Sequence, residues 1–369
     1  MEGSPDAEGR GSDRLTLAVG RIINGEGGQS ASPAWITIAD GHIVATGAGT
    51  APPDALDLGD ALLAPGFIDL QVNGWDDVDF VRASVAEIVS AVDRMAAGGT
   101  TGVLLTICSA PLDRYEAMLQ RARDAMKERP DLILGVHLEG PFLGGAPGAH
   151  PIDVLCPTDL PWVEDLWDTA SDLVKLVTLA PEADPELQAT RFLSGRGVVV
   201  ALGHSTVDYD GARAAADAGA TVVTHLFNGM GPMHHRAPGL PGAALDDPRL
   251  VPSLIADFVH VHPALVKLAL AARVDTVLVT DAVRASDTML ADGTLAGSTL
   301  TMERAVQNVA GLGFAVPRAI RHATANPARV LGLTDRGRIA PGARADLVAL
   351  DPQTLAVRNV WSAGKQLRG

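Results

Sequence analysis

Two different rhythms of apolar and polar residues run along the chain. At both ends the apolar positions alternate in short runs cut by Gly and Pro. Near the start these are LTLAVGRII from Leu15, AWITIADGHIVATG from Ala34, and the pair Leu62-Leu63. Such alternation predicts half-buried strands, and Asp40-Gly41 between two of them predicts a tight hairpin. The last segment, Arg338–Gly369, returns to the same style with GRIAPGARADLVALD and LAVRNVWSAGKQL. From Pro65 the rhythm changes to continuous apolar runs separated by Ala-rich amphipathic stretches. The runs Phe67–Val72, Gly102–Ile107, Leu132–Leu138, Val174–Leu179, Val198–Leu202, Thr221–Leu226, Pro252–Asp257 and Thr276–Thr280 read as buried strands. Val85–Ala97, Arg114–Glu128, Tyr209–Ala218 and Pro263–Ala272 read as helices between them, and a further helical stretch runs from Met302 through Leu331.

Strands buried on both faces and alternating with helices predict an α/β fold with a parallel sheet closed into a (β/α)8 TIM-like barrel. An open doubly wound sheet is the rival, but no G-x-G-x-x-G follows the first strand. The matching style of the two ends predicts a small β-sandwich built from both termini. The expected division is a disordered tail over 1–14, a sandwich from 15–64 plus 338–369, and the barrel over 65–337.

With 369 residues, 47% of them hydrophobic, the chain can bury one large core and a smaller one. The formal net charge of -15 argues against nucleic-acid or anionic-membrane partners. An anionic small substrate would need a local cationic pocket. The two cysteines, Cys108 and Cys156, make no disulfide framework and suit a reducing compartment. Any metal ligands are therefore expected among His, Asp and Glu. The polar start lacks the basic and apolar runs of a signal peptide, and no uncharged apolar run reaches membrane-spanning length. The expected location is cytoplasmic.

Candidate chemistry gathers at strand ends. In GVHLEGPF, Glu139 follows a buried run directly before Gly140-Pro141, where a carboxylate is costly to bury without a partner. His204, His225 and Asp281 follow the fifth, sixth and eighth runs. In a barrel the C-terminal strand ends share one mouth, so these four side chains should converge. One Glu and two His form a three-ligand set that leaves a coordination position open, the pattern of a catalytic metal. Asp281 would then act as general base and acid. Each of these residues taken singly also reads as a hydrogen-bonded structural group or a cap; their joint placement carries the functional reading. His137, one position inside its strand, reads as either a supporting group or a buried structural one. Asn228-Gly229, His234, His235 and Arg236 on a Gly/Pro-rich loop read either as an anion pocket or as a solvated loop. His150 and His260 could each orient a substrate or lie exposed, and His262 has no assigned role.

PGFIDLQVNG, HLEGPF, LGHS, THLFNGM, the arginine before APGL, IADFVHV, TDA, LAGSTLTM and GRIAPGARADLVALD occur in this order. In these motifs the chain resembles the N-acetylglucosamine-6-phosphate deacetylase family of the amidohydrolase superfamily. That resemblance implies one divalent metal ion per subunit on Glu139, His204 and His225, with Asp281 as catalytic acid/base. Zn2+ leads among the metals, and Fe2+, Mn2+ and Co2+ also suit this donor set. It implies that Ala149 and His150 touch the substrate, with the histidine near the acetamide carbonyl. Asn228, Gly229 and Arg236 would meet the sugar phosphate, the arginine reaching the active site of a neighbouring subunit in a homodimer. His260, with Asp257 before it, would contact sugar hydroxyls, and Leu295, Ala296 and Gly297 would close over the substrate. The implied activity is hydrolysis of N-acetyl-D-glucosamine 6-phosphate to glucosamine 6-phosphate and acetate, in amino-sugar catabolism.

Three departures stand out. Where the superfamily often has a metal-binding H-x-H, this chain has Gln71-Val72-Asn73, which implies a single metal. Gly229 replaces the usual alanine, a minor change. The loop from Glu139 to His150 is short and lacks the usual basic residue. The alternatives are the galactosamine epimer, another amidohydrolase acting on a small cyclic or aminoacyl amide, and a metal-dependent binding module without turnover.

Overall fold

The computed structural model describes residues 14–369. Its centre is one eight-stranded parallel sheet whose strands neighbour each other in chain order. The strands are β1 (Phe67–Val72), β2 (Thr100–Cys108), β3 (Ile133–Glu139) and β4 (Val174–Leu179). They continue with β5 (Val199–Leu202), β6 (Ala220–Val223), β7 (Val251–Ile255) and β8 (Val277–Val279). A helix follows each strand: α1 (Val85–Ala97), α2 (Tyr115–Glu128), α3 (Leu160–Ala170) and α4 (Gln188–Ser194). The set closes with α5 (Tyr209–Asp217), α6 (Gly239–Asp246), α7 (Pro263–Ala272) and α8 (Met302–Gly311). This is the (β/α)8 barrel. All six residues of β1 are buried, as a strand covered by helices on one face and barrel interior on the other requires.

Local sequence sets the helix starts. Ser84 and Glu87 form a capping box at the head of α1, which lays Ile88, Ala91, Val92 and Met95 against the barrel. His262, unassigned from sequence, caps α7 by accepting from the Ala264 backbone N–H at 3.2 Å.

Two details differ from the sequence reading. The stretch 302–331 is three helices, because Gly313 takes a positive φ, Pro317 opens α9 (Val316–Ala323), and Thr324 interrupts before α10 (Ala325–Val330). The sixth strand was expected to run through Leu226 but ends at Val223, because His225 leaves extended geometry at φ 31°.

The chain ends form two further sheets. One holds Arg14–Val19, Ala34–Ala39, His42–Ala48 and Leu56–Asp57. Its hairpin turns at Asp40 and Gly41, both at positive φ as that turn demands. The other pairs Leu347–Leu350 from the C-terminal end with Leu62–Pro65 from the N-terminal end. Leu17, Ile36, Leu63, Leu347 and Trp361 form their common core. Along Leu347–Leu350, Leu347 and Ala349 enter that core while Val348 and Leu350 join the barrel's, so period-two alternation cements sandwich to barrel. The expected tail lies outside the described residues, apart from Arg14, which opens the first strand. Among the described residues no helix is long and apolar enough to cross a membrane.

Candidate active site

The C-terminal strand ends carry the candidate chemistry. Glu139 is the last residue of β3. His204, His225 and Asp281 each lie two residues beyond the ends of β5, β6 and β8, and each adopts a left-handed backbone, at φ 49°, 31° and 49°. That conformation costs an L-residue about 1–2 kcal/mol. Three such residues at equivalent places around one mouth are strain held by the surrounding fold, the usual company of a functional site.

The side chains meet. His204 Nε2 and His225 Nε2 each lie 3.1 Å from Glu139 Oε1, and 3.0 Å from one another. All three residues are buried. His204 Nδ1 faces the Ala146 carbonyl oxygen at 3.1 Å, so it must carry the proton and donate. Its Nε2 then meets the carboxylate oxygen across a shared cation, whether a second ring proton or a metal ion. His225 Nδ1 has no partner among the described residues. Electron-rich atoms packed this closely away from water repel unless a cation lies among them, and N, N, O is a suitable donor set for a divalent ion. Burial alone would raise the Glu139 carboxyl, but the two histidines overcome this and hold it well below its ordinary range.

Two amides brace the carboxylates. Gln71 Nε2 donates to Glu139 Oε1 at 2.9 Å, and Asn73 Nδ2 donates to Asp281 Oδ1 at 2.7 Å. Read from sequence only as poor metal ligands, they serve as hydrogen-bond donors. Cys108 Sγ lies 3.0 Å from Asn73 Oδ1 and fixes that amide's orientation. Asp281 is pushed above the ordinary carboxylate range, first by burial and then by the charge of Glu139.

Asn73, Cys108, Glu139, His204, His225 and Asp281 line a cavity of about 450 Å³. Ala149, His150, Asn228, Gly229 and His260 line it too, and Leu295, Ala296 and Gly297 form part of its wall. His150 Nε2 stands 4.0 Å from Glu139 Oε1, its ring edge-on to His204, and burial holds it neutral by lowering its pKa to about 3. Asp257 does not line the cavity. It grips His260 instead, Oδ2 to Nδ1 at 2.7 Å. Arg236 is exposed, stands 2.8 Å from His235, and does not line the cavity of its own chain. A single chain therefore does not form the anion pocket expected of the His234–Arg236 loop. His137 is buried below the site, 2.7 Å from Thr178 Oγ1, and has no face on the cavity. At Gly229 the φ is +57°, and a Cβ would come within 2.8 Å of His204 Nδ1. Glycine is thus fitted to this backbone, and its exchange with alanine is not minor.

The amidohydrolase family profile matches residues 62–367. The chain belongs to the amidohydrolase family. This amidohydrolase is 36% identical over 355 residues to an N-acetylgalactosamine-6-phosphate deacetylase of Escherichia coli O157:H7, covering 89% of this chain and 93% of the relative. It is 36% identical to the N-acetylglucosamine-6-phosphate deacetylase of Danio rerio, covering 85% and 86%. A mutant N-acetyl-D-glucosamine-6-phosphate deacetylase of Mycobacterium smegmatis, solved with N-acetyl-D-glucosamine 6-phosphate, superposes with a TM-score of 0.89. It shares 35% identity, covering 96% of this chain and 100% of that one.

Sequence reasoning missed several residues in and around the cavity of this amidohydrolase. Arg82 and Arg284 reach its wall, paired with Asp79 at 3.1 Å and Asp287 at 2.8 Å. Glu182, in the loop after β4, accepts from Gly145 N at 3.0 Å, Thr206 N at 2.8 Å and Ser205 Oγ at 2.6 Å. It ties the His150 loop to the His204 loop. Isolated charged residues in loops carry no periodicity, so nothing in the sequence pattern marked them.

Proposed function

We propose that this amidohydrolase removes the N-acetyl group of N-acetyl-D-glucosamine 6-phosphate, giving acetate and D-glucosamine 6-phosphate. The observation that carries this reading is the meeting of Glu139, His204 and His225 beside Asp281. The activities of relatives alike over most of the chain support the substrate. Glu139, His204 and His225 would hold one divalent ion, Zn2+ foremost. When bound, such an ion polarises an amide carbonyl and acidifies water.

The rest falls to the chain's own side chains. Asp281, oriented by Asn73, takes a proton from the attacking water and returns it to the amide nitrogen as the C–N bond breaks. One water is consumed, and the products are a carboxylic acid and a free amine. His150 is neutral and can donate a hydrogen bond to the carbonyl oxygen as charge builds there. His260, held by Asp257, meets sugar hydroxyls, and Leu295–Gly297 covers the ring. Asn228 and Gly229 meet the phosphate, completed by Arg236 from a second copy of the chain in a homodimer. In this reading the enzyme serves amino-sugar catabolism in the cytoplasm.

The galactosamine epimer is a second reading, favoured by the Escherichia coli relative's activity. Acetate release from both sugar phosphates and from unphosphorylated N-acetylglucosamine tests the proposal. The expected order is the glucosamine phosphate first in kcat/KM, with the unphosphorylated sugar at least about a hundredfold worse, the scale of a lost charged anchor. Preference for the galactosamine epimer, or indifference to the phosphate, would overturn it.

A further inference from the structure

The barrel's backbone ladder has a gap. Strand-to-strand pairing runs unbroken from β1 round to β8, but the last and first strands share no ladder pairing within their spans. Past the end of β8 the chain returns to β1, with Asp281 N on the Gln71 carbonyl at 3.0 Å, Asn73 N on the Ala282 carbonyl at 2.7 Å and a single bridge between Val72 and Ala282. Inside the gap lies Asp69 of β1, fully buried. Its Oδ2 accepts from Thr280 Oγ1 at 2.6 Å, and its Oδ1 accepts from the Thr280 backbone N–H at 3.2 Å. The remaining contact of Oδ1 is the Gln71 N–H at 3.3 Å.

Thr280 is the hub of this seam. Its hydroxyl accepts from Ala282 N at 3.2 Å, and its carbonyl accepts from Ser298 Oγ at 2.5 Å. The residues on either side of Asp281 are thereby pinned, while Asp281 itself is held at a left-handed φ of 49°. A strained residue keeps such a conformation only where its surroundings over-determine it.

We propose that Asp69 is a positioning residue for Asp281. Its carboxylate closes the barrel where backbone pairing does not, and by gripping Thr280 it sets the angle at which Asp281 faces the site. This rests on the reading of Asp281 as the acid/base. Gln71, which the same segment carries two residues on, braces Glu139. The β1 segment therefore registers the acid/base against the cation site from one strand.

The test compares Asp69→Asn, Thr280→Val and the double variant in the metal-loaded enzyme. Each is assayed for kcat, KM and metal content well below its melting temperature. The expected result is a fall in kcat of about tenfold or more in each single variant, since small displacements of a catalytic group are that costly. KM and metal content should stay within about twofold. The double variant should be no worse than the poorer single one, because both break one interaction. Thr280→Ser, which keeps the hydroxyl, should retain most activity. If Asp69→Asn does not fold, Thr280→Val and Thr280→Ser carry the test. Wild-type kcat in Thr280→Val, or a loss explained wholly by lost metal, would overturn the proposal. Retained activity in Asp281→Asn would instead overturn the acid/base reading on which it stands.

Discussion

The proton on His204 Nδ1 decides the character of the centre. Its bond to the Ala146 carbonyl turns Nε2 towards Glu139 Oε1, where a divalent cation can be shared with His225. Asp281 stands outside that donor set with its own amide brace. Replacing Asp281 with Asn should therefore lower kcat by about 10²–10⁴-fold while leaving metal content near wild type, measured by steady-state kinetics and elemental analysis of one sample. Loss of metal with activity would make Asp281 a ligand instead. The four central residues were legible from sequence because strand-end position is a property of topology. Gln71 and Asn73 were legible only as what they are not. An amide has no charge or spacing to advertise that it will meet a carboxylate from another strand. Asp257 was assigned to the substrate, but it holds His260, since its partner depends on a loop turn the sequence does not display.

Strands ending in left-handed residues are the device that turns side chains across the mouth. The strands themselves were readable because unbroken apolar runs of that length, between helices, suit a parallel sheet. The turns were not, since His, Phe and Asp carry no preference strong enough to foretell a positive φ at His225, Phe227 or Asp281. Among helices, α1 has a start written in sequence, the Ser84–Glu87 capping box. Burial is not involved there, so the cap can be removed cleanly. Ser84→Ala should cost about 1 kcal/mol of stability, seen as a small drop in melting temperature, with kcat/KM unchanged. A change in kcat/KM would mean that the head of α1 communicates with the cavity.

At the scale of the whole molecule, the two chain ends complete one sandwich and pack on the barrel through Val348 and Leu350. Its alternating pattern was visible at both termini, and only the partner of each strand was hidden. The base of the barrel holds His322, fully buried, donating from Nδ1 to the Thr276 carbonyl at 2.7 Å. Burial lowers its pKa to about 4. A histidine depressed in the folded state favours folding when neutral. Its contribution is complete above the unfolded value near 6.5 and is lost as pH falls towards 4, about 3 kcal/mol over that window. Melting temperature should thus fall on acidification from pH 6.5, and His322→Gln should show a shallower decline. An equally steep decline would place the acid lability elsewhere. The exposed Arg236 bears on the proposed assembly: if it completes a neighbouring chain's site in a homodimer, mixing Arg236→Ala and Asp281→Asn chains should regain activity that neither parent has, because one intact site is restored. Failure to regain it would confine Arg236 to its own chain.

The most direct measurement follows acetate release from N-acetyl-D-glucosamine 6-phosphate against metal content as the protein is chelated and reloaded. Activity should fall in proportion to the metal removed, return at one equivalent per chain, and never return in Glu139→Ala. Undiminished turnover in fully stripped protein, or full activity in Glu139→Ala, would contradict the assignment of Glu139, His204 and His225 as a catalytic metal site.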